Sequence, residues 1–225
     1  MLSIIPTPIG NKEDITLRAM RLLSELDIFF CEDVMTTKKL MQLYEIDYKL
    51  KPKTFYPFTS FVSDNQMSRY IQLAKDCHVG LVCEAWTPWL SDPAKSFVRQ
   101  CRIHSIPFEV LPGANALIPL VVASNRDTTE FTFVWFLPKK KWRKTMMQYI
   151  IKSPYPIYCY ESVHRIEKTL VELKTLGFVW QVMIGRELTK FHEQYIYGNI
   201  DTIVWQLQDK SIILKGEFVL WLRPD

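Results

Sequence analysis

Short apolar runs alternate with amphipathic stretches along the first half of the chain. Apolar runs with few charges are typical of strands buried on both faces of a parallel sheet, and here they predict strands at residues 2–5, 28–31, 53–56, 79–83 and 107–111. The stretches between them carry apolar residues at helical spacing. They predict helices at residues 16–26, 36–44, 64–75, 94–101 and 116–123. Strands that alternate with helices indicate a mostly parallel sheet with right-handed crossovers.

The pattern changes in the second half, where several predicted strands follow one another without a helix between them. Strands are predicted at residues 131–137, 157–160, 181–184, 194–197 and 217–222, and helices at 142–151, 163–176 and 201–207. This order favours a mixed sheet. The polar, proline-free segment 124–130 is the predicted linker between an N-terminal α/β domain, residues 1–123, and a C-terminal α/β domain, residues 131–225.

Composition narrows the class of protein. The 225 residues are 48% hydrophobic and 23% charged, as in ordinary globular proteins, and the net charge of +4 permits a nucleic-acid partner without requiring one. The five cysteines form no C-x-x-C pair and no metal-like cluster with the four histidines. No signal-peptide pattern and no apolar run of spanning length is visible. We therefore expect a soluble cytoplasmic protein with neither a membrane span nor a bound metal.

Residues 79–93 pass from an apolar run through a loop to a helix start. The loop carries one carboxylate, Glu84, and two indoles, Trp86 and Trp89, and an aspartate–proline pair then opens the next helix. Ligands of open α/β sheets bind at the carboxyl ends of strands, where this loop is predicted to lie. Judged alone, it could equally be an ordinary connection whose tryptophans belong to the core or to an interface.

A basic run surrounds Trp142. Its cations are Lys139, Lys140, Lys141, Arg143 and Lys144. Five cations around one indole suit contacts with phosphates and stacking on a base, so we interpret the run as an RNA-binding segment. The alternative is a solvated helix face, which is common for charge runs of this length.

Three charged residues close to the ends of predicted strands are candidate catalytic groups: Glu161, Arg186 and Glu187. Glu161 could act as a functional carboxylate or stabilise the N-terminus of the next helix. Arg186 could hold a phosphate, or it could pair with Glu187 to order a loop. The residue pattern leaves both alternatives open.

An ordered series of motifs from residue 4 to residue 220 resembles the tetrapyrrole methylase family. The segments are Pro-Thr-Pro-Ile-Gly-Asn at 6–11, Glu-Asp at 32–33, Thr-Pro at 87–88, Ser-Asp-Pro at 91–93, Leu-Pro-Gly at 111–113, Phe-Leu-Pro-Lys-Lys at 136–140, Tyr-Glu-Ser at 160–162, Arg-Glu-Leu-Thr-Lys at 186–190 and Lys-Gly-Glu-Phe at 215–218. The basic and Arg-Glu-Leu-Thr-Lys segments are similar to those of the branch that methylates the 2′-hydroxyl of a cytidine ribose in small-subunit ribosomal RNA. Each motif is weak alone, but the ordered series is a strong signal.

This resemblance implies an S-adenosylmethionine-dependent methyltransferase with ribosomal RNA as its partner. It also implies a homodimer, and two α/β domains with the cofactor in the cleft between them. The residues to which it assigns cofactor binding are Pro8, Ile9, Glu84, Ala85, Trp86, Thr87, Pro88, Asn115 and Ala116. Methyl transfer to a ribose hydroxyl requires near-attack geometry and a base that takes the proton.

The chain departs from the family pattern at two places. Trp86 and Trp89 occupy glycine positions of the cofactor loop, and residues 55–60 replace a segment that the branch fills with histidine, asparagine and glutamate. Glycine allows a positive φ and a close backbone approach, which an indole does not. Two alternatives therefore stay open: a paralogue that methylates another acceptor, and a non-catalytic relative that has lost the cofactor site and binds RNA or a partner.

Overall fold

The computed structural model describes residues 1–59, 62–85, 94–124 and 130–223. Spatial contacts divide the chain into two compact units, Met1–Asn115 and Ala116–Asp225. The sequence predicted the division further along the chain, at residues 124–130. Of these, residues 125–129 lie outside the described ranges. The difference concerns the helix Leu117–Ala123, which belongs to the second unit because Leu120 packs against the side chains of that unit. The linker itself stays a prediction.

The first unit is a parallel sheet with helices. Its strands are β1 (Leu2–Ile5), β2 (Ile28–Cys31), β3 (Thr54–Pro57), β4 (Val79–Val82) and β5 (Phe108–Val110). Its helices are α1 (Leu17–Glu25), α2 (Val34–Leu43), α3 (Asp64–Asp76) and α4 (Ala94–Ile103), with a short 3₁₀ helix at Lys12–Asp14. The order is β3-β2-β4-β1-β5 and every pairing is parallel, which confirms the predicted sheet. All carboxyl ends therefore meet at one edge, the first carboxyl edge.

Neighbouring residues of β2 build the cores on the two faces of this sheet. Phe30 lies among aromatic rings, with its centroid 4.7 Å from that of Tyr70 and 5.1 Å from that of Phe97. Phe29 belongs to the other core cluster. Gly80 is required beside it, since a Cβ there would lie 2.8 Å from the Phe29 ring. Burying each of the two phenylalanines contributes about 1.5–3 kcal/mol.

Polar side chains set the helix starts of the first unit. Thr16 caps α1, because its side-chain oxygen accepts the backbone N–H of Ala19 at 3.1 Å. Asp33 caps α2 in the same way at 2.6 Å, so this helix begins earlier than predicted. Ser63 caps α3 with a complete capping box. The predicted cap of α4, Asp92, lies outside the described residues.

The second unit is a mixed sheet with helices. Its strands are β6 (Thr132–Phe136), β7 (Ile157–Ser162), β8 (Gln181–Arg186), β9 (Gln194–Asn199) and β10 (Glu217–Arg223). Its helices are α5 (Leu117–Ala123), α6 (Arg143–Lys152), α7 (Ile166–Thr175) and α8 (Ile200–Gln208). The order is β6-β7-β10-β8-β9, with only β6 and β7 parallel, so the predicted mixed sheet is confirmed.

The strand directions bring several chain segments to one edge of the second sheet. Because β10 runs antiparallel to both β7 and β8, the carboxyl ends of β6, β7 and β8 lie at the same edge as the first residues of β9 and β10. We call this the second carboxyl edge.

The strand β7 serves both faces of the second sheet. Tyr158 and Tyr160 point to the face that α5 covers, whereas Ile157 and Cys159 belong to the core shared with α6, α7 and α8. The outer strand β6 is irregular, because its register shifts between Phe133 and Phe136 and the backbone of Trp135 is left-handed, with φ 56°. Within the described ranges, no helix is long and apolar enough to cross a membrane.

Candidate active site

The second carboxyl edge collects segments that the sequence singled out separately. The basic run follows β6, Glu161 lies near the end of β7, and Arg186 ends β8. The segment before β10, which contains Lys215 and Gly216, reaches the same edge. The structure thus brings the predicted RNA-binding segment and the predicted catalytic residues together along one side of a single sheet.

The carboxylate of Glu161 is buried, with 1% of the residue exposed. One oxygen accepts the backbone N–H of Ser162 at 2.8 Å and pairs with the guanidinium of Arg165 at 2.6 Å. The other accepts the hydroxyl of Thr169 at 2.8 Å. These partners lie at the end of β7 and in the first turns of α7, so the geometry gives Glu161 an anchoring role. The catalytic role stays a prediction.

Arg143 differs from the other cations of the basic run, because its guanidinium is directed inward. It donates to Glu172 at 2.7 Å, to the carbonyl of Pro138 at 3.2 Å and to the hydroxyl of Thr169 at 3.0 Å. Its side chain is only 12% exposed. This residue links α6 to α7 and extends the network around Glu161. Its contact with RNA stays a prediction.

The other four cations of the run, Lys139, Lys140, Lys141 and Lys144, are exposed. Trp142 stands among them with 68% of its surface exposed and a left-handed backbone, φ 68°. The ammonium of Lys141 lies 5.7 Å from the centre of the indole ring. An exposed ring among free lysines suits a phosphate backbone and an unpaired base.

Arg186 is buried at the end of β8, where its guanidinium makes three hydrogen bonds. Its Nε donates to the carbonyl of Lys215 at 2.8 Å. Its Nη1 donates to the carbonyl of His192 at 3.3 Å and to the side chain of Gln194 at 3.0 Å. The guanidinium therefore ties the loop between β8 and β9 to the segment before β10. Of the two sequence interpretations, the geometry favours loop ordering.

Glu187 begins this loop with a left-handed backbone, φ 51°. One carboxylate oxygen accepts the backbone N–H of Glu217 at 2.9 Å and the ammonium of Lys190 at 3.0 Å. Gly216 allows this approach, because a Cβ there would lie 2.4 Å from the carboxyl carbon of Glu187. Partial burial acts to raise the pKa of Glu187, but these hydrogen bonds and the charges of Lys190 and Arg186 together hold it below its ordinary value.

At the first carboxyl edge, the turns after β1 and β5 touch each other. A Cβ at Gly113 would lie 2.2 Å from that of Pro6, so glycine is required for the contact. Pro8 and Ile9 follow and are half-buried. The hydroxyl oxygen of Thr7 is buried and has no hydrogen-bond partner within the described residues. A buried hydroxyl without a partner is costly, which makes it a candidate for a ligand contact.

After β4, the predicted cofactor loop begins with Glu84, which is exposed, and Ala85, which is half-buried. Glu84 lines a cavity of about 360 Å³ together with Cys83 and residues of α2. This volume lies at the small end of the range for ligand sites. The predicted cofactor residues Trp86, Thr87 and Pro88 lie outside the described residues.

Asn115 ends the first unit and Ala116 begins the second, at the N-terminus of α5. No side chain of the N-cap residue Ala116 can cap this helix. Instead, the hydroxyl of Tyr160 is hydrogen-bonded to the backbone of Ala116 and Leu117. Burial raises the pKa of Tyr160, so the hydroxyl stays protonated. The sequence analysis missed this contact, although Tyr160 belongs to the Tyr-Glu-Ser motif.

Comparison with known proteins identifies the family. The family model "Tetrapyrrole (Corrin/Porphyrin) Methylases" matches residues 1–204. The chain belongs to this family. Within the described ranges of this tetrapyrrole methylase, no group of three or more His, Cys, Asp or Glu side chains is placed to hold a metal ion.

Among curated proteins, this tetrapyrrole methylase is similar to several named "Ribosomal RNA small subunit methyltransferase I". The protein from Hydrogenobaculum sp. is 38% identical over 225 residues, with 100% of this chain and 96% of that protein covered. The protein from Thermotoga maritima is 30% identical, with 96% of this chain and 98% of that protein covered.

Solved structures show the same fold at low identity. Uroporphyrin-III C-methyl transferase from Thermus thermophilus, complexed with S-adenosyl homocysteine, has a TM-score of 0.63 and 14% identity, with 99% of this chain and 97% of that chain covered. Diphthine synthase has a TM-score of 0.71 and 10% identity, with 98% of this chain and 89% of that chain covered. These similarities show that this tetrapyrrole methylase has the same fold as both solved structures.

Proposed function

We propose that this tetrapyrrole methylase transfers a methyl group from S-adenosylmethionine to the 2′-hydroxyl of a ribose in small-subunit ribosomal RNA. The observation that carries the proposal is the 38% identity, over the whole chain, with a relative named as a small-subunit ribosomal RNA methyltransferase. The geometry of the second carboxyl edge supports an RNA acceptor, because exposed lysines and an exposed indole lie next to the ends of the strands.

The described residues of the first carboxyl edge fit the cofactor. S-adenosylmethionine, when bound, supplies the methyl group as the electrophilic carbon of a sulfonium. Pro8 and Ile9 offer half-buried apolar surface. The hydroxyl of Thr7, which has no partner among the described residues, offers a hydrogen bond. The exposed carboxylate of Glu84 is suited to a hydroxyl or a positive charge. In the second unit, Ala116 offers backbone at the start of α5.

The exposed lysines of the basic run are proposed to bind RNA phosphates, and Trp142 to stack on a base. Glu161, Arg186 and Glu187 are proposed to position the surrounding loops, since each is held by several hydrogen bonds or ion pairs. Methyl transfer requires the donor carbon and the acceptor oxygen to be held close together, and ordered loops favour this.

A homodimer and a cytoplasmic location are further parts of the proposal. The family resemblance supports the dimer, and sedimentation of the purified protein at several concentrations tests it. Five free cysteines, four of them buried, support a reducing compartment.

The experiment that tests the function uses S-adenosylmethionine with a labelled methyl group and small ribosomal subunits that lack 2′-O-methylation. We expect label in the RNA at a ribose 2′-oxygen, and none when the acceptor nucleotide is replaced by its 2′-deoxy form. Label in another molecule would favour a paralogue with a different acceptor. RNA binding without any cofactor binding would favour a non-catalytic relative.

A variant of the basic run tests the RNA contact. Changing Lys139, Lys140, Lys141 and Lys144 to glutamine should weaken RNA binding. The slope of log affinity against log salt concentration should become shallower by about 0.7 for each phosphate contact that is lost on single-stranded RNA. Arg143→Gln is the matched control, since its guanidinium points inward. It should lower stability and leave the salt slope unchanged. An unaltered slope in the quadruple variant would refute the contact.

A further inference from the structure

A pocket of about 730 Å³ lies beside the second carboxyl edge, between the first turns of α7 and the segment before β10. Its volume is within the range of small-ligand sites. The charged side chains that line it are Lys168, Lys215 and Glu167, and His164 lies with them. The salt bridges found among the described residues include neither Lys168 nor Lys215. Two of the residues that line the pocket, Lys168 and Lys215, can therefore pair with an anionic ligand.

Phe191 lies in the loop between β8 and β9 with 97% of its surface exposed. This loop is held by short hydrogen bonds. The N–H of Thr189 donates to the carboxylate of Glu193 at 2.6 Å, and the N–H of Glu193 donates to the carbonyl of Lys190 at 3.0 Å. An ordered loop that holds an aromatic ring in water is unusual, because covering such a ring is favourable. Its one ring contact within the described residues is with His192, edge-on, with the centroids 4.9 Å apart.

The β8–β9 loop is bonded to the segment before β10, part of which lines the pocket. Arg186 binds the carbonyl of Lys215, and Glu187 binds the backbone N–H of Glu217. Both contacts fix the β8–β9 loop to the segment that closes the pocket. Phe191 thus lies in a loop that is hydrogen-bonded to the segment that carries Lys215, one of the pocket residues.

We propose that Phe191, Lys168 and Lys215 form a second RNA subsite, in which an unpaired base stacks on Phe191 and a neighbouring phosphate enters the pocket. The inference rests on the proposed function. It adds to that function a second contact with the RNA strand, away from the basic run. Ring and cations side by side are the usual means of binding single-stranded nucleic acid. The free lysines favour a polyanion over an apolar protein surface, which would leave buried charges unpaired.

The test is binding of a fluorescent single-stranded RNA of about 12 nucleotides, within the site sizes known for such surfaces. Phe191→Ala should weaken binding roughly five- to hundredfold, and Phe191→Tyr should retain it. The double variant Lys168→Gln, Lys215→Gln should make the slope of log affinity against log salt concentration shallower by about 1.4.

Two matched controls lie towards the opposite edge of the same sheet. Val179→Ala removes another exposed apolar side chain just before β8, and Lys152→Gln removes a cation at the end of α6. Both should bind the RNA like the wild type.

In steady-state methylation of small subunits, Phe191→Ala should raise KM and leave kcat unchanged.

Wild-type RNA binding by Phe191→Ala and by the double lysine variant would overturn the subsite. So would a change in sedimentation of Phe191→Ala with intact RNA binding, because it would assign the ring to a protein interface. The proposed function fails separately, if the wild type binds RNA but transfers no methyl group. In that case the binding measurements still decide the subsite.

Discussion

At the scale of single residues, burial separates groups that look alike in the sequence. The sequence predicted Glu161 as a catalytic carboxylate and Arg143 as an RNA contact. In the structure, both side chains are hydrogen-bonded to Thr169 and belong to one network. Thr169 lies 8 residues from Glu161 and 26 from Arg143, and its partnership depends on the packing of two helices. A local motif contains no information on such contacts, so the sequence identified these residues without identifying their partners.

Glu161→Gln should therefore act mainly on stability. It keeps the shape of the side chain but leaves Arg165 without its anion, and removing one partner of a buried pair costs about 3 kcal/mol. Urea denaturation measures the free energy of unfolding. Glu167→Gln, on the first turn of α7, is the control and should stay within about 0.5 kcal/mol of the wild type. If Glu161→Gln is fully stable but transfers no methyl group, the residue is catalytic.

Glu187 makes the free energy of unfolding depend on pH. Its pKa in the folded protein lies below the ordinary value of 4.5, so its contribution is present above about pH 4.5 and is lost as the pH falls through the folded value. The stability difference between the wild type and Glu187→Gln should be constant from neutral pH to about pH 5 and shrink at lower pH. Urea titrations across this range measure it. A difference independent of pH would contradict the ion pair with Lys190.

At the scale of elements, periodicity predicted the strands well and the helix starts less well. The predicted strand at residues 28–31 is β2 without change, and the one at 217–222 is shorter than β10 by one residue. Hydrophobic alternation repeats along a whole strand, whereas one side chain decides where a helix begins. The predicted helix at residues 36–44 begins at Val34 instead, because Asp33 caps it.

The helix α5 is held at both ends by tyrosines of one strand. The hydroxyl of Tyr160 binds the backbone at Ala116 and Leu117, and the hydroxyl of Tyr158 lies 2.9 Å from that of Ser124 at the C-cap. The sequence placed α5 in the first domain because the polar segment follows it. Assignment to the second unit depends on these contacts, which cannot be predicted from a polar segment alone.

Tyr160→Phe and Tyr158→Phe form a matched pair. Each should lower the free energy of unfolding by about 1 kcal/mol, because each loses one hydroxyl contact with α5. Only Tyr160→Phe loosens the backbone of Ala116, so only this variant should weaken S-adenosylmethionine binding, by several-fold in calorimetry. Equal cofactor affinity in both variants would remove Ala116 from the proposed cofactor site.

At the scale of the whole molecule, the sequence predicted the family, the two-part α/β architecture and the kinds of sheet. It also pointed to most of the segments at the two carboxyl edges. It gave no indication of the exposed Phe191 or of the pocket beside α7, because exposure and volume arise only when distant segments meet. The cofactor loop at Trp86 and Trp89 lies outside the described residues, so its departure from the family pattern stays a sequence observation.

Cofactor binding is therefore the decisive property of the whole protein. Micromolar affinity for S-adenosylmethionine corresponds to about 8 kcal/mol, and cofactor at a hundred times its Kd should stabilise the protein by about 2.7 kcal/mol. Calorimetry and denaturation check these values. If the wild type does not bind and the Trp86→Gly, Trp89→Gly double variant does, the indoles fill the site and the protein is a non-catalytic relative.

The irregular outer strand β6 affects how the protein behaves in a crowded cell. A regular outer strand offers unpaired N–H and C=O groups to any extended peptide, and long-lived aggregates can grow from such edges. The register shift between Phe133 and Phe136, with the left-handed Trp135 between them, bends β6 away from the geometry that a further strand needs. An aromatic-rich strand can therefore stay at the margin of the sheet without recruiting other chains.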